Sequence, residues 1–310
     1  MIVFRADLSP QTGLRHLRRC AWLASLLKSR NRVLVCCRED KKAMKFLSEK
    51  NVLFSLVRDP GTIEITEARA IVFDIDPFSG QDGILLDKAK KSGVKTVQIV
   101  SAAAQLQAAD VVVSPAVQAE NALLHHKFRH FNKAKRKYRK NIKNIFINLG
   151  DPLPYRDLRR VIETLHRLHY KMKIAPGLNL KKADKRNLMK IYPGIHFCGR
   201  SESPARAYFE ADLSLIPPGD EALEAACVGT PALYMPSDKE QEALADSLAG
   251  KGIGVRIPSL ADFSVQTVRD AITPLTLDGR EQMGAAGRAL VDGLGVQRLF
   301  KALKEKGIIE

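Results

Sequence analysis

Cysteine, tryptophan and long apolar runs are scarce in this chain of 310 residues. The five cysteines are Cys20, Cys36, Cys37, Cys198 and Cys227, and none has the paired spacing of a metal site. They read as reduced, mostly buried small hydrophobes of a cytosolic protein. No apolar run approaches the ~20 residues of a membrane span, and no basic–apolar–small leader is visible. The expected location is the cytoplasm, with peripheral attachment to a membrane left open. There is no Walker loop and no Gly-x-Ser-x-Gly elbow. His125 and His126 have no His or Cys partner at ligand spacing, so neither metal nor cofactor is expected.

Acid is the other shortage. Asp and Glu number 34 against 50 Lys and Arg, a formal net charge of +16 that favours anionic partners. From Asn121 to Gly150 there is no carboxylate at all. Lys127, Arg129, Lys133, Lys135, Arg136, Lys137, Arg139, Lys140 and Lys143 fall in this stretch, interleaved with Phe128, Phe131 and Tyr138. A solvated helix or linker is the usual fate of such a run. The functional alternative is an anionic membrane surface met by residues 127–143. No nucleic-acid motif accompanies it, so nucleic acid is the less favoured partner.

What is present is a globular composition, 45% hydrophobic and 27% charged. Short Val- and Ile-rich runs alternate with helical patterns. Strands are expected over Ile2–Arg5, Val33–Cys37, Val52–Val57, Ala70–Asp74, Thr96–Val100 and Asp110–Ser114, with helices over Leu14–Lys28 and Lys41–Lys50. After the basic stretch the alternation restarts at Asn144–Leu149 and runs on to Gly254–Ile257. The close is helical, over Val265–Ile272, Gly279–Leu294 and Gln297–Lys306. Apolar strands separated by helices read as parallel sheets covered on both faces. The expected fold is α/β, with two doubly wound Rossmann-like domains facing a cleft. Domain one covers 1–130, a basic linker 131–143, and domain two 144–310, whose last helices can pack back on domain one.

The first strand ends in Arg5-Ala6-Asp7, and Gly13-Leu14-Arg15-His16-Leu17-Arg18-Arg19-Cys20 opens a helix. This places a histidine and several arginines at the carboxyl edge of a sheet, where open α/β folds bind ligands and helix N–H groups meet anions. A histidine there can move protons near neutral pH. The bland alternative is a tight turn with a surface histidine. Gly150-Asp151-Pro152-Leu153 and Pro218-Gly219-Asp220-Glu221 are two further candidate ligand loops. Glycine before a helix admits a phosphate, although Asp220 can equally be a plain cap. Glu224, one turn inside the helix, can accept from a ribose diol or stand as an exposed helix residue.

Taken together these residues resemble one family. Arg5, Asp7, Gly13, His16, Arg19 and Cys20 stand at the spacing of the motif that opens the UDP-sugar hydrolases of pseudaminic acid biosynthesis and the related spore-coat polysaccharide proteins. Ala211-Asp212-Leu213, Glu224 before Gly229-Thr230-Pro231, and Glu240-Gln241 are similar to that family and to the wider two-Rossmann (GT-B) glycosyltransferase superfamily. The resemblance implies a nucleotide-sugar substrate, with UDP held in the second domain. Glu224 would hold the ribose and Gly219-Asp220 would lie near the phosphates, with Gly150 and Gln241 completing that site. It also implies a sugar presented to His16, which would activate water and release UDP without a metal. Asp7 would orient the histidine or the sugar. Gly13, Arg15 and Arg19 would line the substrate, with Arg19 equally a partner for Asp7. The chain departs from the family where Arg15 replaces a glycine, where Pro218-Gly219-Asp220 is acidic, and where no carboxylate lies between Lys95 and Ala109. The expected function is a UDP-sugar hydrolase of surface glycan synthesis. The alternatives are glycosyl transfer on the same scaffold and a non-catalytic binder.

Overall fold

The computed structural model describes residues 1–9, 13–100, 108–114, 118–150, 153–177, 180–199 and 203–310. The chain divides into two compact units, one formed by 1–123 with 295–310 and the other by 124–294.

In the first unit the elements are β1 (Ile2–Ala6), α1 (Arg15–Leu27), β2 (Val33–Arg38), α2 (Lys41–Ser48), β3 (Phe54–Val57), β4 (Ala70–Asp74), α3 (Gly80–Lys91), β5 (Lys95–Ile99) and β6 (Val111–Val113). The strands form one parallel sheet in the order β3-β2-β1-β4-β5-β6. Every residue of β1 and β4 is buried, as strands covered on both faces require. The period of two then sorts side chains between two cores. Ile2, Phe4 and Val72 share a cluster with Leu17 and Leu23 of α1, while Val3, Ile71 and Phe73 share one with Leu85 and Leu86 of α3. The same alternation places Asp74 on the α1 face and Arg5 on the α3 face.

The second unit repeats the plan. It contains α4 (His126–Lys133), β7 (Asn144–Ile147), α5 (Tyr155–Arg167), β8 (Lys171–Ile174), α6 (Lys182–Ile191), β9 (Ile195–Phe197), α7 (Pro204–Glu210), β10 (Leu213–Ile216), α8 (Asp220–Val228), β11 (Ala232–Tyr234), α9 (Lys239–Gly250), β12 (Gly254–Arg256), α10 (Val265–Ile272) and α11 (Leu277–Leu290). Its parallel sheet runs β12-β11-β10-β7-β8-β9. Ile145 and Ile147 pack on Val161 and Leu165 of α5, and Phe146 meets the Tyr208 ring edge-on at 4.7 Å. The last helix, α12 (Gly295–Glu305), belongs to the first unit and adds Leu299 and Leu303 to the α1-side core.

Two parallel sheets with flanking helices make this a two-domain Rossmann-like α/β protein. Residues 131–143, expected as a linker, instead belong to the body of the second unit. Arg136, Tyr138 and Arg139 anchor them there. The Arg136 guanidinium donates to the Phe209 carbonyl (3.0 Å), the Thr230 hydroxyl (3.0 Å) and the Ala211 carbonyl. Tyr138 donates to the Gly229 carbonyl at 2.8 Å, and Arg139 pairs with Asp212 at 2.7 Å.

Candidate functional site

The carboxyl edge of the first sheet carries two arginine–carboxylate knots. On the α3 face Arg5 is fully buried and saturated. Its Nε donates to Asp82 Oδ1 at 2.9 Å, and Nη1 and Nη2 donate to the two oxygens of Asp7 at 2.5 Å each. Asp7 Oδ1 also accepts from the Arg38 backbone N–H at 2.7 Å, tying the end of β1 to the end of β2. On the α1 face Asp74 is fully buried and meets Arg19, His16 and, at 3.6 Å, the Cys20 thiol. Arg19 Nε donates to Oδ2 at 2.7 Å and Nη2 to Oδ1 at 2.6 Å, while His16 Nδ1 lies 2.6 Å from Oδ1. Burial alone would raise the Asp74 pKa. The Arg19 charge and His16 overturn this and hold it well below the usual carboxylate range.

Asp7, expected to orient the histidine, is thus committed to Arg5 and Arg38, and Arg19 pairs with Asp74 rather than Asp7. The partner of His16 is Asp74, 58 residues away, which no local spacing reveals. The imidazole, expected as a ligand-facing group at the rim, is only 2% exposed. Its Nε2 is buried and has no hydrogen-bond partner among the described residues. Arg19 Nη2 also lies 3.3 Å from Nδ1; the tautomer that donates from Nδ1 to Asp74 is the one that puts the lone pair on Nε2. Gly13 opens the helix with φ +55°, in the left-handed region, where it bridges to Ser9. Arg15 is half-buried. No side chain caps the start of α1, and its first turn holds no acid, an arrangement that leaves the helix end receptive to an anion.

In the second unit Gly150, Glu221 and Glu224 come together at the carboxyl edge. Gly150 (φ +73°) follows β7, and a Cβ built on it would lie 3.7 Å from the Glu221 carboxylate. Gly219 caps α8, whose first turn carries Asp220 and Glu221. Both carboxylates suit the positive end of the helix, so a diphosphate would have to share that end with them. Glu224 is half-buried and accepts from the Tyr208 hydroxyl, which in turn receives Asn148 Nδ2 at 3.1 Å. Burial, with Glu224 and Glu221 added, raises Tyr208 well above its ordinary pKa, so it stays a neutral donor. This Asn148–Tyr208–Glu224 chain escaped the sequence reading, because a buried Tyr in one helix and an Asn after a strand carry no motif. Gln241 closes the turn into α9, its side-chain oxygen accepting from the Ser237 N–H at 3.1 Å. Asp151 and Pro152 lie outside the described residues, as do 101–107.

An open cavity of about 470 Å³ lies at the opposite, amino-terminal edge of the first sheet, against Arg69, Lys88, Lys95 and Lys306. It contains none of the expected site residues. Among the described residues no cluster of His, Cys, Asp or Glu could hold a metal, and no helix is long and apolar enough to cross a membrane.

No protein-family model matches the chain, and none of the curated proteins does. Solved structures do. MurG from Acinetobacter baumannii is similar over 98% of this chain and 99% of its own, at 18% identity and a TM-score of 0.64. The spinosyn rhamnosyltransferase SpnG, complexed with thymidine diphosphate, is similar over 98% and 100% at 16% identity and a TM-score of 0.66. The calicheamicin glycosyltransferase CalG4 is similar over 98% of each chain at 12% identity and a TM-score of 0.66. At these identities the likeness is one of fold. It gives no support to the UDP-sugar hydrolases of pseudaminic acid biosynthesis. The chain has the two-domain Rossmann-like α/β fold that these glycosyltransferases share.

Proposed function

We propose that the chain is a glycosyltransferase-type enzyme that takes a sugar from a nucleoside-diphosphate donor. The second unit would hold the donor at the carboxyl edge of its sheet, near Gly150, Gly219 and the Asn148–Tyr208–Glu224 chain. His16 would be the base toward the acceptor hydroxyl. The observation that carries this reading is the His16–Asp74 pair at 2.6 Å with Nε2 left unpartnered among the described residues. A buried carboxylate on Nδ1 fixes the tautomer and stabilises the imidazolium once the proton arrives, the logic of a histidine–aspartate couple in acyl transfer. A base so placed contributes ~10²–10⁴ in rate. At 2% exposure the ring sets a condition on the reaction, since the acceptor must reach Nε2. The fold of the similar glycosyltransferases supports transfer to an alcohol over transfer to water.

Two observations favour a second reading, a binder without turnover. The imidazole is buried beside Arg19, and Glu224, the residue expected on the ribose, is already engaged by Tyr208. The test is incubation with UDP- and dTDP-sugars, with and without a panel of sugar and lipid-linked alcohols. Release of nucleoside diphosphate that requires an alcohol supports the transferase. Release of equal rate in water alone points to hydrolysis. Donor binding in calorimetry without any release supports the binder, and no binding at millimolar donor removes the nucleotide-sugar reading.

A further inference from the structure

The acid-free stretch of the second unit is anchored to the body of that unit, and the structure separates the residues that anchor it from those that form its exposed cationic surface. Asn132 Nδ2 donates to the carbonyls of Cys227 (2.9 Å), Val291 (3.1 Å) and Arg288 (3.2 Å). Arg136 grips the carbonyls that end α7, a favourable place for a cation, and lies over the Tyr138 and Phe209 rings at 5.0 and 5.6 Å. Between these anchors Lys127, Lys133, Lys135, Lys137, Lys140 and Lys143 are exposed, with no carboxylate partner among the described residues. The nearby Asp212 is consumed by Arg139 and by the N–H groups of Lys143 and Asn144. The aromatic rings of the stretch point inward. Phe128 is 3% exposed against Tyr208, Phe131 stacks on Phe209 at 4.8 Å, and Tyr138 bonds to Gly229. No Phe or Tyr ring of the stretch is left as a platform for stacking bases, and the exposed cations without a carboxylate partner among the described residues are lysines, point charges without the fork that reads phosphate geometry.

We propose that this face docks the protein on an anionic lipid bilayer. Polybasic lysines gain affinity from the summed negative potential of a leaflet and need neither base stacking nor bidentate recognition. Because the backbone is already anchored, little ordering is left to oppose binding. This inference is independent of the nucleotide-sugar reading and stands if that reading fails.

The test is co-sedimentation of the full chain with phosphatidylcholine vesicles, with and without phosphatidylglycerol. Three proteins are compared: wild type, a variant with Lys127, Lys133, Lys135, Lys137, Lys140 and Lys143 all changed to Gln, and a control with Lys41, Lys45, Lys90, Lys91, Lys304 and Lys306 changed to Gln. Both variants lose the same charge, and thermal melting checks that both fold. Wild type is expected to bind only the phosphatidylglycerol vesicles and to be released as salt rises from about 0.1 to about 0.5 M. The first variant is expected to lose at least about tenfold in partition coefficient, and the control far less. Equal losses in the two variants, binding to neutral vesicles alone, or binding to single-stranded RNA but not to phosphatidylglycerol would each overturn the proposal.

Discussion

Arg19 and Asp74 form a buried two-point ion pair, Nε to Oδ2 at 2.7 Å and Nη2 to Oδ1 at 2.6 Å, that locks α1 onto the end of β4. Removing the carboxylate leaves a guanidinium that is 7% exposed with nothing to balance it. Asp74→Asn is therefore expected to destabilise the protein by about 3–5 kcal/mol in urea titrations at neutral pH. The cost depends on pH in one direction. The folded carboxyl sits well below its ordinary range, because burial, which alone would raise it, is outweighed by Arg19 and His16. Its contribution is complete above the unfolded value near ~3.9 and declines as pH falls below that. The gap between wild type and Asp74→Asn should accordingly narrow in acid. A gap that stays constant down to about pH 2 would contradict the pairing.

Arg136 is expected to behave as an internal staple of the second unit. Burial, partly offset by Tyr138 and Asp212, pushes its guanidinium down to about 10, still fully charged at neutral pH. Arg136→Met takes the guanidinium from the carbonyls of Phe209 and Ala211, at an expected cost of about 3 kcal/mol, while the Thr230 hydroxyl keeps its bond to the Tyr208 carbonyl. Arg136→Lys should recover little, since one ammonium cannot span what two fork nitrogens reach. Full recovery by lysine, read from melting curves, would show that charge alone matters there.

Two helical glycines are expected to respond in opposite directions to the same change. A Cβ on Gly83 of α3 meets nothing within 4 Å, so Gly83→Ala should gain about 0.8–1 kcal/mol of helix propensity. A Cβ on Gly284 of α11 would strike the Tyr138 hydroxyl and sit 2.6 Å from the Gly229 carbonyl. Tyr138 cannot swing clear without breaking its own bond to Gly229. Gly284→Ala should therefore lose about 1–3 kcal/mol despite the better propensity. Calorimetric melting of the two variants reads the contrast.

The sheets were legible because buried parallel strands write themselves as continuous apolar runs, as Ile2–Ala6 and Leu213–Ile216 do. The His16 turn was legible as a candidate for the same topological reason, lying just after the first strand. Its partner was not, because Asp74 closes a strand of its own and meets His16 only once β4 pairs with β1. Asp7 looked like the natural partner by proximity in sequence, yet period-two alternation sends its neighbour Arg5 to the other face and Asp7 follows it. Arg136 was invisible inside a charge run. Composition marks such residues as solvated, and only the free carbonyls at the end of α7 decide which of nine cations turns inward.

The central claim, that His16 Nε2 takes a proton during transfer from a nucleotide sugar, is tested most directly by comparing wild type with His16→Ala in acceptor-dependent release of nucleoside diphosphate, with donor affinity measured alongside. The account predicts a fall in kcat of ~10²–10⁴ with donor Kd unchanged, as a base that acts on the acceptor alone requires. Equal kcat in the two proteins, or a loss confined to donor binding, would contradict it.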